Sequence, residues 1–215
     1  MTVLQPIRRR IPLGLPLSAV LLSGLLAGAC STAGLAVSAG AGTAVMASQE
    51  RGFQGAMNDT RIRMDINHLW FQESETLFRH VNLQVQEARV LLSGNVEQPE
   101  MRVTAARLAW QVKGVRAVIN EITVTDKSSL TSAARDTWIT TELKAKLLVD
   151  LEIDAINYSI ETVNQVIYLI GLAQNEAELQ RVIAHAKDIP YVRQVVSHVT
   201  LKDDPNRHTA AAPAN

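Results

Sequence analysis

The chain has 215 residues, of which 47% are hydrophobic; this is the content of a globular protein and excludes a wholly disordered one. It is long enough for one medium domain or two small ones. Lysine plus arginine number 21 and aspartate plus glutamate also number 21, so no net charge attracts the chain to nucleic acid. We therefore expect no nucleic-acid partner, and a charged partner of another kind has to be bound by a local patch.

The first thirty residues have the three-part layout of a secretory signal. Arginines at positions 8–10 form a positive cluster, an apolar run extends over about 13–27, and Gly28-Ala29-Cys30 follows. The apolar run is shorter than the roughly 20 residues that a membrane-spanning helix needs. We predict that residues 1–29 are a signal peptide that is removed on export.

Cys30 is the single cysteine of the chain, so no intramolecular disulfide can form. The segment Leu26-Ala27-Gly28-Ala29-Cys30 resembles the bacterial lipobox, in which the cysteine receives diacylglycerol and becomes the new N-terminus. Ala27 departs from the aliphatic residue usual there, and Ala27 with Ala29 also satisfies the ordinary signal-peptidase rule. We predict lipidation at Cys30, which would anchor the protein on a membrane. The alternative is a free cysteine just beyond a plain cleavage site.

Two segments have the composition of flexible chain. Residues 30–55 are dominated by alanine, glycine and serine and carry no charge before Glu50, which predicts a lipidated tether. Residues 204–215 lack apolar periodicity, which predicts a disordered tail.

An internal repeat organises the rest of the chain. Asp59-Thr60 matches Asp136-Thr137 at an offset of 77 residues, and the same offset relates Leu92-Ser93-Gly94 to Leu169-Ile170-Gly171. The register holds without a gap over about seventy residues, which chance rarely produces. We predict a duplicated domain.

The two copies show the same order of local signals. We place the first domain at 56–126, a polar, serine-rich linker at 127–133 and the second domain at 134–203. Each begins with an amphipathic helix whose apolar positions are Ile62, Ile66 and Trp70 in the first copy and Ile139, Leu143 and Leu147 in the second. Two short alternating strands, a second helix and a last strand follow. The predicted fold class is α+β, with two tandem α-β-β-α-β domains, each having two helices on one face of a three-stranded sheet.

Local signals within each copy predict a turn and a cap. A tight turn at Glu87-Ala88, and its counterpart at Asn164-Gln165, makes the first two strands a hairpin. Asp59 and Asp136 lie near the predicted starts of the first helices, where we expect their carboxylates to cap helix amide groups.

Several segments carry a family resemblance. These are Leu92-Ser93-Gly94-Asn95-Val96 and Gly114-Val115-Arg116-Ala117-Val118, matched by Leu169-Ile170-Gly171 and Val192-Arg193-Gln194-Val195 in the second copy. They resemble the BON domain, named for bacterial osmotic-shock and nodulation proteins, and the resemblance covers both copies. With a lipobox in front, it implies a lipoprotein on the periplasmic face of the bacterial outer membrane that binds anionic phospholipid and supports envelope integrity under stress.

One segment departs from the family pattern. The second copy has Ile189-Pro190-Tyr191-Val192 where BON domains usually have a glycine before the valine. We expect this departure to alter a turn rather than a ligand contact.

No motif of catalysis is apparent. The five histidines, His68, His80, His185, His198 and His208, form no pair at helical metal-ligand spacing, and no second cysteine completes a zinc site. Gly94 and Gly171 are single glycines at strand ends, which favours a bend in the sheet over a phosphate loop. We predict a protein that is not an enzyme, with no metal, no cofactor and no small-molecule substrate.

The helix predicted over 134–149 carries a second apolar face opposite its core side. On a helical wheel this far side comprises Trp138, Thr141, Ala145, Leu148 and Val149. Arg135 and Lys146 flank one edge of the far side, and Lys144 flanks the other. These eight residues are the predicted lipid-binding set, with cations meeting phosphate groups and Trp138 at the depth of the membrane interface.

Two other uses of this face remain open from the sequence, namely packing against the first domain or the linker, and contact with a protein partner. The matching face of the first copy, which comprises Arg61, Met64, His68 and Phe71, is less apolar and lacks the tryptophan. The first copy is therefore predicted to be the stabilising or partner-facing module. The alternative function is a non-catalytic scaffold that docks on another envelope protein through exposed sheet faces or through the helix over 134–149.

Overall fold

The computed structural model describes residues 49–125 and 130–207, which form two α/β repeats. The elements of the first repeat are α1 (Gly52–Glu73), α2 (Glu75–His80), β1 (Val81–Gln86), β2 (Arg89–Val96), α3 (Pro99–Gln111) and β3 (Ala117–Val124). Those of the second are α4 (Leu130–Val149), a 3-10 turn (Ala155–Asn157), β4 (Tyr158–Val163), β5 (Val166–Ala173), α5 (Glu176–Lys187) and β6 (Gln194–Leu201). The predicted α-β-β-α-β order is confirmed in both copies, with the short α2 as an addition in the first.

The two sheets have the same topology and the same register. Each has three strands, in the orders β1-β2-β3 and β4-β5-β6, with an antiparallel hairpin followed by a parallel third strand. Val81 pairs with Gly94, and Tyr158 pairs with Gly171, so the offset of 77 holds at the level of individual strand pairs. The parallel third strand requires a crossover, which α3 and α5 supply.

A separate apolar core lies between the helices and one face of each sheet. α1 contributes Ile62, Ile66 and Trp70, all buried, as their spacing of four predicts. The indole N–H of Trp70 donates to the Ala105 carbonyl at 3.2 Å, which satisfies its one polar atom inside the core. The second core buries Ile139, Leu143 and Leu147 in the same way.

Asp59 and Asp136 stabilise the hairpins rather than the helix starts. α1 begins seven residues before Asp59, and α4 begins six residues before Asp136, so the expected N-cap role is wrong. Both oxygens of the Asp136 carboxylate accept backbone N–H groups, from Asn164 and Gln165, each at 2.8 Å. Asp59 accepts the corresponding N–H groups of the first hairpin, from Glu87 at 2.9 Å and Ala88 at 2.7 Å.

These carboxylates explain why the hairpin turns need no glycine. The two turns are confirmed where the sequence predicts them, and all four central residues have positive φ, between 50° and 66°. A two-residue turn of this type usually contains glycine or asparagine, because other side chains are strained at positive φ. Hydrogen bonds from both turn N–H groups to one carboxylate hold this conformation in each repeat.

Gly94 and Gly171 lie where two backbones approach closely. A Cβ atom added to Gly171 would clash with the Asn157 carbonyl oxygen and would lie 3.0 Å from the Cα of Tyr158. A Cβ on Gly94 would clash in the same way with the carbonyl of His80. The glycines therefore allow the first strand of each hairpin to begin directly against the second.

The second faces of the two sheets pack against each other. The apolar part of this interface comprises Leu91 from the first repeat and Val163, Tyr168 and Ile170 from the second, with Ile119, Val166 and Val196 at its margin. The described chain thus has four layers, helices, sheet, sheet and helices. The alternative in which exposed sheet faces dock on a partner is wrong, because these faces cover one another.

Polar side chains complete the interface in pairs. Glu121 contacts His198 at 2.9 Å, and Gln84 donates to Glu161 at 3.4 Å. Each pair joins positions that are 77 residues apart, which indicates that an approximate two-fold axis relates the repeats, as in an isologous dimer. Asn82 also donates to Glu161 at 2.9 Å, and burial raises the pKa of that carboxyl.

Helices and side-chain contacts extend into the three segments that composition predicts to be flexible, namely the tether, the linker and the tail. α1 begins at Gly52, within the predicted tether 30–55, and the Glu50 N–H donates to Asn157 of the second repeat at 3.0 Å. α4 begins at Leu130, within the predicted linker 127–133. Arg207, in the predicted tail 204–215, forms an ion pair with Glu87 of the first repeat. The predicted signal peptide and Cys30 lie outside the described residues.

Candidate functional site

The outer face of α4, which comprises Trp138, Thr141, Ala145, Leu148 and Val149, is exposed along its whole length. Trp138 is 43% exposed, Leu148 70% and Val149 79%. The alternative in which this face packs against the first repeat therefore does not hold. α4 presents Ile139, Leu143 and Leu147 to the core and a second apolar surface to its surroundings.

Two exposed side chains outside the predicted set extend this surface. Leu151, in the turn after α4, is fully exposed beside Val149. Tyr191, in the loop between α5 and β6, is 63% exposed and contacts Trp138 edge to face, with ring centroids 6.1 Å apart. Leu151 lies beyond the helical pattern, and Tyr191 is 53 residues from Trp138 in sequence, so helical periodicity reveals neither.

The basic residues at the edges of this face have different partners. The guanidinium of Arg135 lies over the Tyr191 ring, 5.1 Å from its centroid. Lys146 Nζ contacts Asp188 at 2.7 Å, and that hydrogen bond, with the ammonium charge, lowers the pKa of Asp188. Lys144 is exposed and lines a groove with Thr137 and other residues of both repeats. Arg135 and Lys144 therefore place positive charge on opposite sides of the apolar face, whereas the charge of Lys146 is paired with Asp188.

The end of α4 is fixed by a charged cluster below the apolar residues. Asp150 contacts His185 at 2.7 Å and Arg181 at 2.9 Å. The hydrogen bond to His185 is the main cause that lowers the pKa of Asp150 to about 2, with the Glu152 N–H and Arg181 adding to it. These contacts tie the last turn of α4 to α5 and so position Leu148, Val149 and Leu151.

The corresponding face of the first repeat has different chemistry. Arg61 stands where the second repeat has Trp138, and it donates to Asp65 at 3.2 Å and to the Lys113 carbonyl at 2.9 Å. Met57, Met64 and Phe71, seven residues apart, are 46%, 66% and 61% exposed. The first repeat thus presents a stripe of flexible thioethers and an aromatic ring, without an interfacial tryptophan.

Neither a metal centre nor a membrane span is found in the part of the chain that the structure describes. Within residues 49–125 and 130–207, no group of three or more His, Cys, Asp or Glu side chains is arranged to hold a metal ion. None of the helices there combines the length and the hydropathy that crossing a bilayer requires.

The fold and this surface define a class of protein, a tandem pair of α-β-β-α-β domains joined sheet to sheet with an exposed amphipathic helix. The chain belongs to the BON-domain family, whose model matches residues 58–126 and 135–203. The resemblance seen in the sequence is thereby confirmed.

Several curated proteins are similar to the chain. An uncharacterized protein in the gshII 5′ region of Anaplasma centrale is 41% identical over 147 residues, 68% of this chain and 96% of that protein. The outer membrane lipoprotein DolP of Haemophilus influenzae is 36% identical over 105 residues, which are 48% of this chain and 54% of that protein. Osmotically-inducible protein Y of Escherichia coli is 28% identical over 68% of this chain and 74% of that protein.

Proposed function

We propose that this chain is a non-catalytic lipoprotein on the periplasmic face of the bacterial outer membrane, where it binds anionic phospholipid and helps to maintain envelope integrity. The observation that carries the proposal is the exposed outer face of α4, centred on Trp138. Family membership and the similarity to an outer membrane lipoprotein support it.

The chemistry of the α4 face favours a lipid surface as its ligand. Tryptophan prefers the level of the headgroups, because its ring is apolar and its N–H needs a polar partner. Leu148, Val149 and Leu151 provide aliphatic surface that can enter the acyl boundary. Arg135 and Lys144 border this surface with positive charge, which is complementary to anionic headgroups.

If Cys30 anchors the protein as proposed, even a weak contact between α4 and phospholipid is sufficient for binding. Acyl chains would hold the protein on the membrane, so binding of α4 becomes an intramolecular event at high local concentration. The two contacts have separate tasks, since the anchor provides residence and the α4 face provides recognition of the headgroup.

Vesicle binding by the chain without residues 1–30 tests the lipid contact. Residues 49–207 contain both cores and the interface between them, so a chain beginning at Ser31 retains the folded protein. We expect it to co-sediment with phosphatidylglycerol vesicles more than with phosphatidylcholine vesicles. Trp138→Ala should weaken binding about tenfold, which corresponds to about 1.4 kcal/mol of lost interfacial contact.

Phe71→Ala is the matched control, since Phe71 is an exposed ring on the corresponding helix of the first repeat. It should bind like the unmodified chain. Added salt should weaken binding to phosphatidylglycerol, because charges at a surface are screened. Absence of binding, or equal binding by Trp138→Ala, would show that the α4 face is not a lipid site.

A second candidate function is docking on another envelope protein, and the exposed stripe of Met57, Met64 and Phe71 favours it. A spacing of seven residues along one helix matches the seam between two packed helices, so the partner would offer an amphipathic helix. Cross-linking from position 64 tests this candidate, because a partner helix on the stripe would be captured there, whereas position 138 reports the contact of α4.

A further inference from the structure

We propose that Tyr191 and Arg135 form, together with Trp138, a composite site for the phosphate group of an anionic lipid. In this site Tyr191 is a second aromatic membrane anchor, and its ring holds Arg135 in place. This inference rests on the proposed function, and it assigns the headgroup contact to residues from two separate elements.

The backbone of Tyr191 has a conformation that is unfavourable for tyrosine. Its φ is 71°, in the left-handed region that disfavours residues with a side chain. The residue at the same position of the first repeat is Gly114, with φ of 100°. The turn therefore needs positive φ in both copies, and glycine meets that need without strain. For the fold alone, tyrosine is therefore energetically less favourable than glycine at this position.

Burial of the side chain does not offset the free-energy cost of positive φ, since the Tyr191 side chain is 63% exposed. Ile189, two residues before it, is buried in the second core, so this loop is held to the domain without the tyrosine ring. Strained residues that persist at a surface point to a function for the side chain. What this side chain contacts is Trp138 and Arg135, both on the outer side of α4.

The geometry of the three side chains suits a headgroup. The Trp138 and Tyr191 rings meet edge to face at an interplanar angle of 70°, so the two exposed rings lie side by side. Tryptophan and tyrosine are the residues enriched at that level of a bilayer. The guanidinium carbon of Arg135 lies over the Tyr191 ring, 5.1 Å from its centroid, and the N–H groups of a guanidinium match the oxygens of a phosphate.

An alternative role for Tyr191 is to cover Trp138 and stabilise the domain. The two roles predict opposite behaviour for Tyr191→Gly, which restores the residue found in the first repeat. If Tyr191 stabilises the fold, this change lowers the melting temperature. If Tyr191 is an anchor, the change removes strain, so the melting temperature stays or rises by a few degrees while lipid binding weakens.

The experiment measures vesicle binding and thermal unfolding for the chain beginning at Ser31. With phosphatidylglycerol vesicles, we expect Tyr191→Gly to weaken binding about fivefold without a fall in melting temperature. Tyr191→Phe keeps the ring and should bind within about twofold of the unmodified chain. Arg135→Gln should lose most of the preference for phosphatidylglycerol over phosphatidylcholine.

The outcomes separate this inference from the proposed function. Binding by the unmodified chain, with equal binding by Tyr191→Gly, would overturn the role of Tyr191 alone. Weaker binding together with a lower melting temperature would assign Tyr191 to the fold. An unchanged lipid preference in Arg135→Gln would overturn the phosphate contact. No binding by the unmodified chain would overturn the proposed function, and this inference with it.

Discussion

Replacement of Gly171 by valine is expected to destabilise the second repeat strongly. The new Cβ would meet the Asn157 carbonyl and the Tyr158 backbone, at the point where β4 begins against β5. Neither neighbour is a side chain that can turn away, so the strands must separate. We expect a loss of more than about 3 kcal/mol of unfolding free energy, at the upper end for overpacking.

Thermal unfolding measures this effect. For a protein of this size, each 1 kcal/mol lowers the melting temperature by about 2–4 °C, so a fall of at least about 6 °C is expected. Gly55→Ala is a suitable control, because the atoms nearest to its new Cβ are Cβ and Cγ of Arg51, at 3.2 and 3.7 Å, and not the backbone of another strand, so a much smaller change is expected. A melting temperature unchanged by Gly171→Val would mean that the two backbones are not in contact there.

Replacement of Cys30 by serine is expected to abolish lipidation altogether. Cells labelled with a radioactive fatty acid should incorporate it into the unmodified protein and not into Cys30→Ser. The variant should also leave the membrane fraction, since the α4 face alone provides a weak contact. Ser31→Ala, beside the proposed site, should keep the label. Equal labelling of Cys30→Ser would show that the chain has no acyl anchor at this position.

The repeat made much of the fold predictable. An offset of 77 residues relates the helix, hairpin, helix and strand of one copy to those of the other. Both sheets have the same register. A spacing of four residues identified the buried sides of α1 and α4, because helical burial follows a local period. The turns at Glu87-Ala88 and Asn164-Gln165 were found from the alternating strands on either side of them.

Features that depend on distant contacts were not predictable. Asp136 lies near the helix start that the sequence predicts, yet the helix begins six residues earlier and the carboxylate binds a turn 28 residues away. Asn82, Gln84 and Glu121 have the polar character of a sheet face in water, but they meet polar groups of the other sheet. Local pattern cannot distinguish these two environments, because a paired polar group and a solvated one have the same sequence signal.

The candidate surface was predictable in part. The helical wheel identified Trp138, Leu148 and Val149 as facing away from the core, and the structure leaves them exposed. It could not show whether the first repeat covers them, because that depends on how the repeats pack. Tyr191 was assigned to an altered turn, and its contact with Trp138 depends on a loop brought in by α5.

The most direct test of phospholipid binding by α4 is cross-linking from position 138 in the intact, membrane-bound protein. A photoreactive amino acid in place of Trp138 reports whatever lies against the outer face of α4, and the same group in place of Met64 reports on the first repeat. We predict phospholipid adducts at position 138, detected by mass spectrometry, and few at position 64. Adducts at position 138 with one envelope protein, and none with phospholipid, would contradict phospholipid binding by the outer face of α4.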